Sequence, residues 1–286
     1  MTDDYQLGIY EKALPADLSW EERLDAVNQG GFDYLEMSVD ETDARLARLE
    51  WNPFRRKALV RAMDESGVPI RSICLSAHRM YSFGSMDDAK RQRGLEIMRK
   101  AIDLAGDLGI RIIQLAGYDV YYEEGTAETR ARFADGLDQA VSMASIAGVC
   151  LGFETMETPF MDTVEKSMTY VSKEGSPYLG VYPDVGNLTN ASFLYGNTVA
   201  QDIATGVGHI FAAHLKETKA GTYRDMSYST GTTDYEGALG QLVRQGVRRY
   251  VGEFWCLDPE GWRDDVSFAS TYLRGKIDAA FDRAQN

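Results

Sequence analysis

The sequence predicts a single (β/α)8, or TIM, barrel spanning residues 1–286, and three observations point to it. Eight apolar runs with strand character alternate with amphipathic helical runs from one end of the chain to the other. Glycines fall just before strand runs, at Gly30-Gly31, Gly67, Gly109, Gly148, Gly175 and Gly246. That is where a helix turning back into a strand takes its C′ residue. Eight units of about 35 residues also suit this barrel, for which about 250 residues is typical. An open doubly wound sheet ordinarily has fewer strands and a GxGxxG turn after the first, and no such turn is present. There is no linker, low-complexity stretch or sign of a second domain.

The strand runs, in order, are QLGIY (6–10), YLEMSV (34–39), IRSICLSA (70–77), IRIIQLA (110–116), VCLGFE (149–154), LGVYPD (179–184), HIFAAHL (209–215) and RYVGEFW (249–255). The first is expected to close the ring against the eighth. Between them, Ser19-Trp20-Glu21-Glu22 is a capping box that opens a helix containing Leu24 and Val27. Ser85 with Asp88 is a weaker cap for the next long helix, in which Leu95, Met98, Ile102 and Ala105 recur on one face. Thr233 with Glu236 repeats the box before the last strand.

Charge narrows the function. Lys and Arg number 30 against 44 Asp and Glu, a net charge of -14. Such a surface repels polyanions, which argues against nucleic acid and anionic membrane as partners, while a local basic pocket could still take a small anion. Cys74, Cys150 and Cys256 are far apart in apolar runs and form no CxxC pair, as expected of reduced core thiols in a cytosolic protein. The N-terminus MTDDYQLGIY is acidic, without the pattern of a signal peptide, and no apolar stretch reaches membrane-spanning length. A cytoplasmic protein is the expectation, and homo-oligomerisation is compatible with it.

In a (β/α)8 barrel the C-terminal strand ends form the functional face. There, strands five to eight end in Glu154, Asp184, His214 and Glu253. One acid at a strand end is ordinarily solvated or paired with a loop arginine. Three carboxylates and one of only three histidines at four successive ends would repel one another without a cation among them. The donor set suits a divalent metal ion such as Mn²⁺, Zn²⁺, Co²⁺ or Mg²⁺.

Several stretches also carry a resemblance: "LGIYEKALP", "FDYLEMSVDETDARLARL", "CLSAHR", "GLEIMRKAI", "GIRIIQLAGYDVYY", "YPDVGNL" and "GEFW". Over nearly the whole chain the sequence resembles the L-ribulose-5-phosphate 3-epimerases, also called L-xylulose-5-phosphate 3-epimerases, of the xylose-isomerase-like barrel superfamily. The superfamily's metal motif falls on Glu154, Asp184, His214 and Glu253, the set reached from the strand ends. The resemblance implies an isomerase acting on a small phosphorylated sugar. Epimerisation at C3 of a 2-ketose removes a proton α to a carbonyl and returns it on the other face, which suits two bases, Glu154 and Glu253.

The expected substrate contacts are Glu157 in the loop after strand five, Asn187, Lys216 and His78. Lys216 lies two residues beyond His214 and faces inward with it, unless its amine instead snorkels to water. Tagatose- and psicose-type 3-epimerases carry a histidine three residues after the metal-binding Asp, where this chain has Asn187. The loop after strand seven offers Lys219, Arg224, Ser229, Thr230 and Gly231 before a capped helix, an expected phosphate cradle formed by Lys219, Ser229 and Thr230. His209, at the start of strand seven, is expected to be structural. An aldose–ketose isomerase and a non-catalytic sugar-phosphate sensor are the alternatives. A histidine-rich, DNA-binding abasic-site endonuclease fits this composition poorly.

Overall fold

The computed structural model describes residues 4–285. Eight parallel strands form one sheet: β1 (Gln6–Tyr10), β2 (Tyr34–Ser38), β3 (Ile70–Leu75), β4 (Ile112–Ala116), β5 (Cys150–Glu154), β6 (Leu179–Tyr182), β7 (Ala213–Leu215) and β8 (Arg249–Gly252). Their order is β6-β5-β4-β3-β2-β1-β8-β7, so β1 does pair with β8. The ring closes between β6 and β7 through isolated bridges at Val181–Ile210 and Asp184–His214. Strand seven is therefore shorter than the run 209–215 suggests. Pro183 accepts the His214 N–H at 2.9 Å but has no N–H to return, which interrupts the ladder.

Helices cover the outside: α1 (Trp20–Gln29), α2 (Asp43–Leu46), α3 (Pro53–Ser66), α4 (Asp88–Leu108), α5 (Ala127–Ala147), α6 (Val164–Glu174), α7 (Val185–Tyr195), α8 (Val199–Ala204), α9 (Tyr235–Arg244) and α10 (Trp262–Gln285). The Ser19–Glu22 capping box opens α1 as expected. Two other caps differ from expectation by one or two residues. Asp87, not Ser85, caps α4, because Ser85 donates instead to Glu123 at 2.6 Å. Asp234 caps α9, since the Thr233 hydroxyl is engaged with the Lys216 carbonyl and the Thr218 N–H. The glycines after α3, α4, α5 and α6 sit in the left-handed conformation expected of them.

Alternation along the strands divides the core into two layers. Leu7, Ile9, Leu35, Met37, Ile73 and Leu151 face the helices in the large outer core. Inside the ring lies a smaller cluster of Tyr10, Tyr34, Cys74, Ile112, Tyr182, Ala212 and Val251. Gly8 is what lets Tyr34 lie across the barrel, because a Cβ there would come within 2.3 Å of its ring. The Tyr34 hydroxyl then donates to the Tyr250 carbonyl at 2.9 Å.

The C-terminal end of β1 is locked by charge. Glu11 is fully buried, taking two bonds from Arg48 at 2.5 and 2.7 Å and one from the Ser38 N–H at 2.9 Å, with Arg45 also in contact. Burial alone would raise its pKa, but Arg48 and Arg45 outweigh that and hold the carboxyl below its ordinary range. Removing one partner from such a group leaves an uncompensated buried charge, so the cluster fixes the loop that presents the next residue, Lys12.

Candidate active site and metal centre

Inward-facing ends of β5 to β8 bring Glu154, Asp184, His214 and Glu253 together, all buried, with one ligand atom of each within 4.8 Å of the others. Period two explains the placement. His214 and Lys216 share a face of β7, and Asp184 extends β6 two residues past the inward Tyr182. His214 Nδ1 lies 3.3 Å from both Glu154 Oε1 and Glu253 Oε2. Lys216 Nζ lies 3.0 Å from Asp184 Oδ2 and 3.3 Å from Glu253 Oε2. Even so, those two carboxylate oxygens make no hydrogen bond of good geometry. Buried acceptors without aligned donors, converging with an imidazole nitrogen, are the arrangement that a divalent cation satisfies, so the four residues fit one.

Electrostatics in the group are polarised. Burial pushes the Asp184 carboxyl well above its ordinary pKa, with Glu253 and Glu154 adding to the rise against Lys216. Glu253 moves the other way. Burial opposes its charge, but Lys216 and His214 outweigh burial and hold it well below the usual carboxylate range. Burial likewise disfavours the His214 imidazolium, and the carboxylates of Glu36 and Glu253 overcome this and raise it. A divalent ion held by these residues would replace those protons as the counter-charge.

Above the group opens a cavity of about 470 Å³, its mouth included. Of the expected substrate contacts, Glu157, Asn187 and Lys216 line it. Lys216 does not snorkel to water: it is buried, and its ammonium is held above the ordinary lysine range by Asp184 and Glu253 against the cost of burial. The Asn187 amide donates to the Thr155 carbonyl at 2.8 Å, and its backbone N–H donates to Asp184 Oδ1 at 2.6 Å. Glu157 bridges Arg224 at 2.9 Å and the Tyr118 hydroxyl.

Two sets of expected contacts lie away from the cavity. His78 does not line the cavity. Its ring is buried against Phe83 at 4.4 Å, Nε2 meets the Gly94 carbonyl at 3.1 Å, and the next residue, Arg79, faces the cavity instead. Lys219, Ser229 and Thr230 are exposed and absent from the lining. The nest of N–H groups there is already filled by the Glu217 carboxylate, which accepts from Thr218, Ser229 and Thr233 at 3.2, 2.8 and 3.3 Å. In this arrangement those N–H groups are occupied by the chain's own carboxylate. Cations do reach the mouth, as Lys12, Arg79 and Arg224, with the Ser76 hydroxyl among them.

Residues beyond the sequence expectation complete the site. Gln114 on β4 donates to Glu154 Oε2, and Tyr10, Cys74, Met156, Tyr223 and Trp255 help line the cavity. Glu36 on β2 meets His214 Nε2 at 2.5 Å from beneath. A signal for Glu36 exists in the sequence. In "YLEMS" it alternates with the inward Tyr34 and Ser38, and an acid in the middle of such a strand must be buried.

Residues 24–272 of this barrel match the family described as "Xylose isomerase-like TIM barrel". The chain is 47% identical over 275 residues to the L-ribulose-5-phosphate 3-epimerase UlaE of Salmonella typhimurium, covering 96% of this chain and 95% of that protein. The UlaE protein of Salmonella paratyphi C is similar to the same extent. Among solved structures, a D-tagatose 3-epimerase-like protein superposes with a TM-score of 0.79 at 16% identity, over 98% of this chain and 99% of that one. An L-ribulose 3-epimerase gives 0.74 at 20% identity, over 98% and 97%. These distant structures speak to the fold. The chain belongs to the xylose isomerase-like TIM barrel family, in its L-ribulose-5-phosphate 3-epimerase branch.

Proposed function

We propose that the chain is a metal-dependent isomerase interconverting L-ribulose 5-phosphate and L-xylulose 5-phosphate, with residues 1–286 acting as one barrel unit. The observation that carries this reading is the buried group Glu154, Asp184, His214 and Glu253, set under a cavity rimmed by Lys12, Arg79 and Arg224. Its relatives' shared name agrees with that chemistry. A divalent ion held by the four residues, whether Mn²⁺, Zn²⁺, Co²⁺ or Mg²⁺, would stabilise the negative charge that develops on the substrate's oxygens.

The chain's own residues do the rest. Glu154 and Glu253 come from strands three apart in the ring and serve the two faces of C3, one removing its proton and the other returning a proton opposite. Glu253, which Lys216 and His214 hold ionised against the cost of burial, is in the form that can accept a proton. Gln114 holds one Glu154 oxygen, which fixes the direction of the other. Glu157, Asn187 and Lys216 orient the sugar hydroxyls and the carbonyl. Arg79, Arg224 and Lys12 take the phosphate end, as charge-assisted donors do.

The test is L-ribulose 5-phosphate followed by NMR in D₂O with metal-loaded protein. L-xylulose 5-phosphate carrying one deuterium at C3 is expected. A new aldose signal would point to C1–C2 isomerisation, and absence of any C3 exchange would point to a sensor.

A further inference from the structure

Beneath the metal-ligand group lies an acid that the mechanism above leaves unused. Glu36 is fully buried inside the barrel. Its Oε2 accepts from the Ser72 hydroxyl of β3 at 2.6 Å and the Tyr182 hydroxyl of β6 at 2.9 Å. Its Oε1 meets His214 Nε2 at 2.5 Å. Two strands on different sides of the ring thus pin one oxygen and aim the other at a single imidazole nitrogen. Tyr182 also walls that imidazole, with ring centroids 5.1 Å apart at 73°.

The two nitrogens of His214 face different partners. Nδ1 looks up at Glu154 and Glu253, each 3.3 Å away, and Nε2 looks down at Glu36. A neutral imidazole carries one proton, and only the bare nitrogen can bind a metal. If Nδ1 kept the proton it would bond to Glu154 or Glu253 and have no lone pair for an ion. A carboxylate acceptor at Nε2 decides between the two forms, fixes the ring and makes the opposite nitrogen a better donor.

We propose that Glu36 is a positioning residue that selects the Nε2–H tautomer of His214 and so presents Nδ1 to the metal. The proposal rests on the metal reading above, so the test separates the two. Metal-free protein is titrated with Mn²⁺, read by the EPR signal of the free ion. In parallel, protein with ¹⁵N-labelled histidine is loaded with Zn²⁺ and its imidazole signals recorded, which is tractable with three histidines in the chain.

Wild type should bind one Mn²⁺, lost in Asp184→Asn, and should show His214 protonated at Nε2 and coordinated through Nδ1. Glu36→Leu should weaken Mn²⁺ binding by roughly 10–100-fold and mix the tautomers. Glu36→Gln should recover most of that loss, since its carbonyl still accepts the Nε2 proton. Unchanged affinity in Glu36→Leu, or coordination through Nε2 in wild type, overturns the role of Glu36 and leaves the metal site standing. Failure of wild type to bind either Mn²⁺ or Zn²⁺ overturns both. If Glu36→Leu does not fold, the Glu36→Gln titration and the wild-type spectrum decide the matter: Nε2 coordination counts against the proposal, and Nδ1 coordination with near-normal affinity in Glu36→Gln supports it.

Discussion

At or just beyond the mouth ends of β5–β8 the inward residues are Glu154, Asp184, His214 and Glu253, whereas the last inward residues of β1–β4 are Tyr10, Ser38, Cys74 and Ala116. One half of the ring concentrates ionisable groups in a single layer. The other half carries no carboxylate or imidazole in that layer and shifts its charge elsewhere: one level deeper as Glu36, or outward into loops as Lys12 and Arg79. The difference is physical. Four ligand-type groups within 4.8 Å repel one another unless positive charge sits among them. Lys216 supplies that charge in part and a divalent ion would complete it, so further carboxylates in that layer would be costly. Deeper and outer charges then act on that layer, Glu36 through His214 and the loop cations through the substrate.

The largest effects should fall on the ligand-bearing half. Asp184→Asn and His214→Ala are expected to lower kcat/KM by roughly a thousandfold or more and to lose metal in the same samples. Ser38→Ala, at the mouth end of β2, should cost less than about tenfold, since it removes only a neutral hydrogen bond to Tyr10. Comparable losses in both halves would erase the contrast. So would full activity in either ligand variant after chelation and dialysis.

Within that half, Glu154→Gln and Glu253→Gln sharpen the division of labour, with expected losses of roughly 10²–10⁴-fold in net epimerisation. If each glutamate serves one face, each variant should still wash deuterium into one epimer at C3 and not comparably into the other. A single-base mechanism predicts one glutamate essential to both exchanges and the other dispensable. Metal content measured alongside distinguishes loss of a base from loss of the ion.

This division also marks what the sequence could disclose. Glu154, Asp184, His214 and Glu253 were legible because strand ends have an address in a barrel and because ligand residue types at four successive ends are hard to obtain by chance. Glu36 escaped because it sits in mid-strand, away from those ends, although its alternation with Tyr34 and Ser38 signals an inward acid. The loop expected to cradle phosphate lies outside the cavity for another reason. Composition of the loop after β7 named hydroxyls and glycine correctly, yet Glu217, just past the end of β7, turns its carboxylate into the same N–H groups. Sequence order says little about which of two anions a nest will hold. His78 was the candidate and Arg79 only its neighbour, and a short turn after β3 sent the histidine under Gly94 and the arginine to the cavity.

The outer charges of β1–β4 and the loops come next in size. Arg79→Ala or Arg224→Ala should lower kcat/KM for L-ribulose 5-phosphate by roughly 10–100-fold, the worth of a hydrogen bond to a charged group. Unphosphorylated L-ribulose should be affected little. Lys219→Ala, exposed and outside the cavity, should leave both substrates unaffected. Equal losses on both substrates would assign the arginines to packing around Tyr118 and Glu157, which they also touch.

His78 carries the smallest catalytic effect and a separate signature. Because it is buried against Phe83 outside the cavity, His78→Gln should turn over substrate at near the wild-type rate at neutral pH. Its effect should appear in acid. Burial pushes the ring's pKa down to about 4, against the bond to the Gly94 carbonyl, while the unfolded chain keeps the ordinary value of 6.5. Between those values the unfolded state binds a proton that the fold refuses, so falling pH favours unfolding across that window. Above 6.5 neither state is protonated, and this residue adds no pH dependence. The full window amounts to about 3 kcal/mol of stability lost on acidification. Urea unfolding of the metal-free protein at several pH values should therefore show a gentler loss toward pH 4 in His78→Gln than in wild type. Identical slopes would mean that the folded ring takes up its proton at the ordinary value of 6.5, as the unfolded chain does. The desolvated setting between Phe83 and the Gly94 carbonyl would then fail, and with it the separation of His78 from the solvated mouth.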